Sequence, residues 1–577
     1  MSTSPGEEQG APAAAGLSYQ DAVAAVTAEG QPFQIGTVTA LGIEQKVFLN
    51  APPDLGALFG MCRARGEATF LVYEDERWTF ERFMAEVDAM AATLVGRYGI
   101  EKGDRVAIAM RNLPEWVVGF AAAVSVGAIS VSLNGWWTAD ELDFALGDST
   151  PKVLLADPER ADRAAASCAR RGIELVVARA DSVAGFVLPE GAQRWEDVVE
   201  PGAAMPTVEI DPDDDATILY TSGTTGNPKG AVSTHRAVTQ SLMAFACRAI
   251  VARLRSPSDA AAQAAQAPAF ILIVPLFHVT GCVAVLLSCV LAGVKLVIMR
   301  KWDPGRALEH IQAEKVTNFV GVPTQAWDML EHPNFADYDT SSLVSVGGGG
   351  APAPPELVRR VESNFSRGRP AIGYGLTETN AYGPQNTGDD YVTHPTSTGR
   401  GVPILEVAIR DPEGHDVAVG ERGEICFKGP HLIRGYWNRP DATAETIVDG
   451  WLHTGDLGRV DEDGFVYVED RVKDMVLRGG ENVYSAEVEA AIYEFPGVHE
   501  AAVFGVPHER LGEEVAAAVV PKAGATVDTD ELTAFLKERL AGFKVPTRWL
   551  VFDDPLPRNA AGKFLKRQLR DGVAADG

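Results

Sequence analysis

The sequence predicts an α/β protein with two parts: a large N-terminal α/β body made of several subdomains, and a small α+β domain at the C-terminus. From residue 68 onward, short apolar segments alternate with segments of helical periodicity. Several of the apolar segments are continuous, which is typical of parallel strands covered by helices on both faces. Beyond residue 456 the pattern changes to short strands, Asp-Gly and Gly-Gly turns, and helices.

The first elements are predicted in the order helix, strand, helix, strand. Apolar residues recur at helical spacing at Phe83, Val87, Met90, Ala91, Leu94 and Val95. A Gly-Asp turn then leads into the apolar strand Val106–Ala109. Asn112 and Pro114 suit the start of a second helix, as a cap and as an early helical residue, and Gly127 ends it. The strand Ala128–Val131 follows.

Further strands and helices are predicted along the rest of the chain. Buried strands are expected at Val153–Leu155, Leu175–Val177 and Leu296–Ile298. Short strands at Val460–Val468 and Val476–Leu477 introduce a C-terminal unit of about 100 residues, the size of a small independent domain. Helices around Ala486–Tyr493 and Asp530–Leu540 complete this unit.

These patterns divide the chain into three stretches. Residues 1–16 carry prolines and acidic residues in place of a basic segment and an apolar core, which predicts a disordered tail and no signal peptide. The N-terminal body is expected at 17–470, and the C-terminal domain at 471–577.

Composition excludes several classes of protein. With 577 residues, 46% hydrophobic and 23% charged, the chain has ordinary globular composition. This excludes a chain that is disordered throughout, a collagen-like fibre and a disulfide-rich miniprotein. The 79 acidic against 51 basic residues give a net charge of −28. Such a charge argues against a dedicated nucleic-acid binder and against adsorption on anionic lipid.

The cysteines and the apolar segments indicate a soluble, cytoplasmic protein. The six cysteines are scattered with no CxxC pair, so they form neither a zinc cage nor a disulfide framework. The longest uncharged apolar run, Val279–Val294, is shorter than the ~20 residues that span a bilayer. We therefore expect no integral membrane segment.

A segment rich in glycine and hydroxyl groups carries the strongest chemical signal. Tyr220–Gly230 follows the strand Ala216–Leu219 and ends in Pro-Lys-Gly, so it is not the GxxxxGK[ST] pattern. Glycines let backbone N–H groups face an anion, the hydroxyls donate to phosphate oxygens, and the lysine supplies a charge. The alternative is a flexible surface loop. We predict a phosphate-binding loop made by Thr221, Ser222, Gly223, Thr224, Thr225, Gly226 and Lys229.

Seven further segments follow this loop in order: Pro275–Gly281, Gly349–Pro352, Tyr374–Glu378, Asp449–Asp456, Asp470–Asp474, Gly479–Tyr484 and Pro557–Lys563. Together with the loop, they resemble the motifs of the adenylate-forming enzymes. This superfamily contains acyl-CoA synthetases, peptide-synthetase adenylation domains and firefly-type luciferases. The resemblance covers nearly the whole chain, and eight motifs in the family's order make a chance match implausible.

The resemblance implies a set of nucleotide-binding residues. These are Thr221, Ser222, Gly223, Thr224, Thr225, Gly226, Lys229, Gly350, Ala351, Pro352, Tyr374, Gly375, Thr377, Glu378, Asp456, Arg471 and Lys563. Glu378 is implied as the Mg²⁺ ligand, and its carboxylate is the hard oxygen donor that this ion prefers. Asp456 would hold the ribose hydroxyls, and Arg471 the ribose or phosphate oxygens. Their alternatives are an exposed carboxylate, a turn residue and an ion pair with Asp470.

The same resemblance implies four catalytic residues: Thr225, His278, Glu378 and Lys563. Lys563 would bridge the carboxylate and the nucleotide during adenylation. The mobile C-terminal domain would then turn about a hinge at Lys473. That movement would bring Gly479 and Gly480 to the site, where the absence of side chains lets the pantetheine arm of CoA pass. An ordinary hairpin turn is the alternative for these glycines.

The substrate is predicted to be a carboxylic acid without an α-amine. No acidic residue lies between Ile271 and Val294, where amino-acid-activating relatives usually place an aspartate for the substrate ammonium. His278 takes the position of the family's aromatic gate, with a core histidine as the alternative. Gly349 and Gly350 leave space beside the gate, so these three residues are the predicted acyl pocket.

We therefore expect an ATP-dependent carboxylic acid–CoA ligase that forms AMP and pyrophosphate through an acyl-adenylate, acting on a fatty or other apolar or aryl acid. Its cofactors and partners would be ATP, Mg²⁺, CoA and the acid, without nucleic acid; homo-oligomer formation stays open. One alternative delivers the acyl group to a carrier protein or an amine. The second is a non-catalytic nucleotide-binding protein. Asn559 and Ser485 replace a usual Thr and a usual Pro, and no base for the thiol is assigned.

Overall fold

Two eight-stranded sheets dominate the N-terminal body in the computed structural model, which describes residues 16–221, 228–257, 267–350, 353–471, 473–479, 481–559 and 563–575. In chain order the strands are β1 Ile35–Ala40, β2 Ile43–Phe48, β3 Thr69–Tyr73, β4 Glu76–Thr79, β5 Arg105–Ala109, β6 Ile129–Ser132, β7 Val153–Ala156, β8 Glu174–Val177, β9 Gln193–Arg194, β10 Asp215–Thr221, β11 Lys229–Thr234, β12 Ala269–Leu272, β13 Lys295–Ile298, β14 Asn318–Gly321, β15 Ser345–Gly349, β16 Arg369–Gly373, β17 Gln385–Thr387, β18 Glu406–Arg410, β19 Gly423–Lys428, β20 Gly435–Tyr436, β21 Ile447–Val448, β22 Trp451–Val460, β23 Val466–Arg471, β24 Val476–Arg478, β25 Glu481–Val483, β26 Val498–His508, β27 Gly512–Pro521 and β28 Arg548–Val551.

The α-helices alternate with many of these strands. They are α1 Tyr19–Thr27, α2 Leu55–Gly60, α3 Phe80–Gly96, α4 Pro114–Ser125, α5 Ala139–Ser149, α6 Pro158–Arg171, α7 Trp195–Val198, α8 His235–Arg255, α9 Ser288–Ala292, α10 Pro304–Glu314, α11 Pro323–Leu330, α12 Pro355–Asn364, α13 Gly388–Thr393, α14 Pro440–Thr446, α15 Ser485–Tyr493, α16 Thr529–Lys537 and α17 Lys566–Ala575.

Both large sheets are mainly parallel, as the continuous apolar strands predict. The first has the order β20-β11-β10-β6-β5-β7-β8-β9 and is parallel from β10 to β9. The second has the order β17-β16-β15-β14-β12-β13-β3-β4 and is parallel from β16 to β3. The carboxyl ends of parallel strands are where ligands bind in such sheets.

One apolar core joins the two sheets. Strand β5 of the first sheet and strands β3 and β12 of the second contribute to this core, together with α3 and α4. Helix α4 begins with Pro114, as expected, and is almost entirely buried; the rings of Trp116 and Phe120 stack inside it at 5.3 Å. A helix that is apolar on all sides is typical of burial between layers.

The apolar run Val279–Val294 lies inside this body. It forms a π-helix at Thr280–Leu287 followed by α9, and most of its side chains are buried. Among the described residues, one helix, α8, is long and apolar enough to cross a membrane by length and composition. Its most apolar window is 61% buried within the protein, which is typical of a core helix. All six cysteines are buried and unpaired, in line with the absence of a disulfide framework.

A five-stranded sheet of the body corrects the expectation that the strands at Val460–Val468 belong to the C-terminal unit. Strand β22 ends at Val460 and β23 begins at Val466, and neither strand belongs to the C-terminal sheet. They pair with each other and, through β22, with β19 in a five-stranded sheet of the order β18-β19-β22-β21. The local turn pattern cannot reveal this, because the partner strand β19 lies more than 20 residues earlier. The C-terminal sheet, β25-β24-β27-β26 with β28 on β27, begins only at Val476.

Candidate active site

The predicted phosphate loop is the connection between strands β10 and β11. Strands β10 and β11 are antiparallel, and Thr221 pairs directly with Lys229 at their ends. The Thr221 hydroxyl donates to the Lys229 carbonyl at 3.4 Å. Strand pairing therefore fixes where the loop leaves and re-enters the sheet. Ser222, Gly223, Thr224, Thr225 and Gly226 lie outside the described residues.

Glu378 lies beside this hairpin, on a short 3-10 turn after β16. The Tyr436 hydroxyl donates to Glu378 Oε1 at 2.7 Å, and the Ile433 N–H donates to the Glu378 carbonyl at 2.9 Å. Burial raises the pKa of Tyr436, and the Glu378 carboxylate raises it further. The ammonium of Lys229 lies 4.9 Å from the centre of the Tyr436 ring. Tyr436 thus links the end of the loop to the predicted metal ligand.

The donor set at Glu378 fits a hard divalent cation. Glu378 Oε1 is occupied by the tyrosine hydroxyl, while Oε2 has no hydrogen-bond partner in the described part of the chain. A carboxylate held by one oxygen and open at the other is a suitable ligand for Mg²⁺, which usually takes one or two protein carboxylates together with phosphate oxygens.

Asp456 connects three of the predicted nucleotide residues. Its side chain is only 3% exposed. Tyr374 donates its hydroxyl to Asp456 Oδ2 at 2.6 Å, and Arg471 Nε lies 2.9 Å from Oδ1. Burial raises the pKa of Tyr374 well above its usual value, and Asp456 adds to this. Burial lowers the pKa of Arg471, but Asp456 and Tyr374 outweigh burial and raise it. Each oxygen of the Asp456 carboxylate has a further lone pair that can accept a ribose hydroxyl.

Lys563 approaches this group from the C-terminal unit. Its position is fixed by two backbone contacts: its N–H donates to Asn559 Oδ1 at 2.9 Å, and its carbonyl accepts from the Asn559 N–H at 2.8 Å. Burial and the nearby Arg471 lower the pKa of the Lys563 ammonium to about 8, against the opposing effect of Asp456. Lys563 is therefore near enough to Asp456 and Arg471 for both charges to act on its ammonium.

His278 faces the same place from the body. It precedes the π-helix Thr280–Leu287, and its Nδ1 accepts the Thr280 N–H at 3.3 Å. π-helical turns occur frequently at functional sites. Burial lowers the pKa of His278 to about 4, with a contribution from Lys563. The imidazole is therefore uncharged at neutral pH, and it lies close enough to Lys563 to sense its charge.

Two glycine segments bring backbone close to the site. A side chain at Gly375 would meet the Ala381 carbonyl at 2.3 Å, and one at Gly349 would lie 3.0 Å from the Gly373 carbonyl. Gly350 has a φ of +75°, a conformation that favours glycine. Ala351 and Pro352 of the same motif are outside the described part of the structure.

The structure thus brings some predicted residues together and leaves others apart. Lys229 and Glu378 meet through Tyr436, while Tyr374, Asp456, Arg471, Lys563 and His278 form one continuous group. Glu378 is near enough to influence Arg471, so the two groups adjoin. The side chain of Thr377 has no described contact within either group.

Gly479 and Lys473 are both exposed. The Gly479 N–H donates to the Leu511 carbonyl at 2.7 Å, within the C-terminal unit. Lys473 lies between β23 of the body and β24, the first strand of the C-terminal sheet. Gly480 lies outside the described residues.

Two residues that hold the site are missing from the sequence prediction. Tyr436 positions Glu378 from 58 positions away in the chain, and nothing in its Gly-Tyr-Trp context signals this. Thr454 accepts the Asp456 N–H at 3.1 Å and donates to the Ile425 carbonyl at 2.7 Å. It stands inside the predicted ribose motif, so its position two residues before Asp456 is a usable signal for such a turn.

Comparison with known proteins decides the family. The family model described as AMP-binding enzyme matches residues 60–437. The chain belongs to this family. A second model, the AMP-binding enzyme C-terminal domain, matches residues 487–563. The resemblance to adenylate-forming enzymes is confirmed, as is the α/β fold with a smaller C-terminal domain.

Individual members of the AMP-binding enzyme family resemble the chain over most of its length. A feruloyl-CoA synthase from Amycolatopsis is 39% identical over 475 residues, which are 82% of this chain and 89% of that protein. The long-chain fatty-acid CoA ligase FadD13 from Mycobacterium tuberculosis is 35% identical over 502 residues, 87% of this chain and 94% of that protein. The solved o-succinylbenzoate CoA synthetase from Bacillus subtilis, in complex with its acyl-adenylate intermediate, is 30% identical. It matches with a TM-score of 0.74 over 90% of this chain and 98% of its own.

Proposed function

We propose that this AMP-binding enzyme is an ATP-dependent carboxylic acid–CoA ligase, which forms an acyl-adenylate and then a thioester. One observation supports the proposal: the half-buried Lys563 of the C-terminal unit is near enough to Asp456, Arg471 and His278 for their charges to influence one another. A non-catalytic nucleotide-binding protein has no need for a half-buried cation at this point, whereas adenylation needs one.

Adenylation needs this cation because both reacting groups are negatively charged. In the first half-reaction a carboxylate oxygen bonds to the α-phosphorus of ATP, and the bond from this phosphorus to the bridging oxygen breaks to release pyrophosphate. Two anions must approach each other for this step. A preorganised ammonium offsets their repulsion and stabilises the charge that develops, and such donors are most effective in a site that excludes water. Lys563 supplies this charge, and Arg471 supplies a second.

The nucleotide would be held by the residues around Lys563. Asp456 accepts hydrogen bonds from the ribose, the hairpin end at Thr221 and Lys229 receives the phosphates, and Tyr374 lines the adenosine site. Mg²⁺, when bound through the free oxygen of Glu378, would neutralise phosphate charge. Tyr436 keeps that carboxylate in place through its hydrogen bond of 2.7 Å.

In the second half-reaction the CoA sulfur bonds to the acyl carbon and the bond to AMP breaks, with loss of the thiol proton. We propose that the C-terminal domain turns about Lys473 between the two steps, so that Lys563 leaves and the Gly479–Gly480 segment enters. The exposed position of Lys473 between two sheets supports this hinge.

The acid is proposed to be apolar or aromatic and to lack an α-amine. The uncharged His278 borders the site, and the segment that follows it is apolar and buried. Feruloyl-CoA synthase and the long-chain ligase FadD13 are named for aryl and fatty acids, which supports a panel that contains both.

The test is an acid panel read out in two ways with the purified full chain. ATP–pyrophosphate exchange that depends on an added acid reports the first half-reaction, and mass spectrometry of CoA products reports the second. We expect both signals with at least one hydroxycinnamic, long-chain or fused-ring acid, and none with α-amino acids. Absence of acid-dependent exchange across the panel would refute the adenylation itself. Exchange without any CoA thioester would instead favour a carrier protein or an amine as acceptor.

A further inference from the structure

A cysteine, a histidine and a glutamate meet on one face of the five-stranded sheet of the body. Cys426 of β19 and His453 of β22 are direct cross-strand partners, and their Sγ and Nδ1 atoms lie 3.6 Å apart. Glu424 precedes Cys426 by two residues, a spacing that puts both side chains on the same face of β19. Its Oε2 lies 2.8 Å from His453 Nδ1. Among the described residues this is the one group of histidine, cysteine or carboxylate side chains in which three donor atoms all lie within 4.8 Å of one another.

The separations of these donor atoms suit a tetrahedral zinc ion. Bonds from Zn²⁺ are about 2.3 Å to a thiolate sulfur and about 2.0–2.1 Å to an imidazole nitrogen, so a sulfur and a nitrogen ligand lie about 3.5–3.6 Å apart. Cys426 and His453 already have this spacing. A nitrogen and an oxygen ligand lie about 3.3 Å apart, so the Glu424 carboxylate would move back by about half an ångström. Thiolate and imidazole together favour Zn²⁺ over Mg²⁺, which takes oxygen donors.

The protein orients the carboxylate and leaves a route for the ion. The Gly455 N–H donates to Glu424 Oε1 at 2.8 Å, which leaves Oε2 to face the other two donors. Outer hydrogen bonds of this kind orient metal ligands. Cys426 is fully buried, whereas the side chains of His453 and Glu424 are 23% and 26% exposed. An ion can therefore enter from the side of His453, with water in its fourth position.

Binding requires the thiol to lose its proton. Burial raises the pKa of Cys426 to about 12, and Glu424 acts in the same direction, so the thiol is protonated without a metal. On binding, the S–H bond breaks, a bond from sulfur to the metal forms, and the proton passes to water. His453 binds through a neutral ring nitrogen and Glu424 through a carboxylate oxygen. No electron is transferred, so the step needs no oxidant or reductant.

The three side chains border the β-bulge that presents Asp456. Strand β22 has three residues, 454–456, opposite a single residue of β19. His453 lies immediately before this bulge, and Glu424 contacts it through the Gly455 N–H. An ion shared by β19 and β22 would therefore restrain the backbone that carries Asp456.

We propose that Glu424, Cys426 and His453 bind one thiophilic divalent cation, Zn²⁺, and that the bound ion restrains the bulge that carries Asp456. The site is separate from the Glu378 carboxylate, which suits Mg²⁺, and it does not depend on the proposed ligase function. Cysteine spacing in the sequence excludes a cage made of cysteines. This mixed set of ligands comes together only through the pairing of β19 with β22.

The test uses the full chain without an affinity tag, freed of metal with a chelator and then titrated with Co²⁺ as a spectroscopic probe for Zn²⁺. A cysteine ligand gives Co²⁺ a thiolate-to-metal charge-transfer band, which the oxygen donors at Glu378 cannot give. We expect this band to saturate at one ion per chain and to disappear when Zn²⁺ is added. Cys426→Ser should lose the band, and Glu424→Gln, which keeps an acceptor for Gly455, should bind Co²⁺ at least about 10-fold more weakly. The control Cys168→Ser, at a buried cysteine of α6, should behave like the parent.

Amide hydrogen exchange tests the restraint on the bulge. Saturating Zn²⁺ should slow exchange in the segment 453–457 of the parent and of Cys168→Ser, but not of Cys426→Ser. Circular dichroism of each metal-free variant checks its fold, and Glu424→Gln provides the comparison if Cys426→Ser does not fold. The absence of a thiolate band in the parent, or an equal band in Cys426→Ser, would overturn the metal site. A band without slower exchange in the segment 453–457 would overturn the restraint on Asp456.

Discussion

Ser485 connects the body to the C-terminal unit. We expect loss of its hydroxyl to slow adenylation selectively and to leave thioester formation unimpaired. Its hydroxyl donates to Asp470 Oδ1 at 3.0 Å and accepts from Lys566 Nζ at 2.9 Å, while its backbone N–H also donates to Asp470. Lys566 in turn pairs with Glu489 at 2.8 Å. Asp470 belongs to β23 of the body, so this network crosses the proposed hinge and holds the arrangement in which Lys563 reaches the site.

The size of the effect follows from burial. Ser485 is 1% exposed and Asp470 7%, so water cannot replace the lost hydroxyl. A hydrogen bond to a charged group contributes about 1.5–3 kcal/mol. At the lower value, Ser485→Ala reduces the docked population relative to the undocked one about tenfold. The backbone N–H still binds Asp470 in this variant. A proline at the same position would remove that donor as well and should have a larger effect.

The assay separates the half-reactions. Ser485→Ala should lower acid-dependent pyrophosphate exchange about tenfold, while the transfer of a supplied acyl-adenylate to CoA stays at the parent rate or rises. Thr547→Ala is the matched control, because its hydroxyl donates to Glu514 at 2.9 Å without crossing the hinge. Equal slowing of both half-reactions would show a merely structural role, and an unchanged exchange rate would refute the reasoning.

Three further predictions concern the site itself. Because the pKa of Lys563 is lowered to about 8, the ammonium is present below pH 8 and lost above it, so kcat/KM for the acid should fall as the pH rises through 8. Lys563→Arg should abolish this fall in kcat/KM. A fall that persists in Lys563→Arg would assign the titration to another group. Tyr436→Phe frees Glu378, which should raise the Mg²⁺ concentration for half-maximal exchange about 10-fold, whereas an unchanged Mg²⁺ profile would contradict the role of Tyr436. Tyr374→Phe removes a donor from Asp456 and should change KM for ATP without changing KM for the acid; a shift confined to the acid would refute the ribose assignment.

Local patterns predict much of this fold because the body is built from buried parallel strands. A strand such as β7 or β13 is covered on both faces, so its apolar run is continuous and predicts a strand without knowledge of its neighbours. Helix α4 is predicted equally well, because a proline suited to the first turn is followed directly by a long apolar segment. Local patterns do not predict which strands pair with each other. The pairing of β22 with β19 depends on contacts distant in sequence, so the local pattern around Val460–Val468 does not show that these strands pack in the body.

The candidate site likewise contains residues that the sequence motifs predict and residues that only the fold reveals. Asp456, Arg471 and Glu378 stand in motifs whose order along the chain carries the family resemblance. The groups that support them come from elsewhere: Tyr436 on β20, and Lys566 and Ser485, which link the C-terminal unit to β23. Their side chains acquire a role only when the fold brings them within hydrogen-bond distance.

The most direct test of the account is the acid-dependent pyrophosphate exchange of Lys563→Ala, measured beside the parent enzyme with the best acid of the panel. Loss of a preorganised donor at developing charge typically costs about 10²–10³ in rate, and we expect a loss of at least that size. Transfer of a supplied acyl-adenylate to CoA should be nearly unaffected. A near-normal exchange rate in Lys563→Ala would contradict the central claim that this lysine drives adenylation.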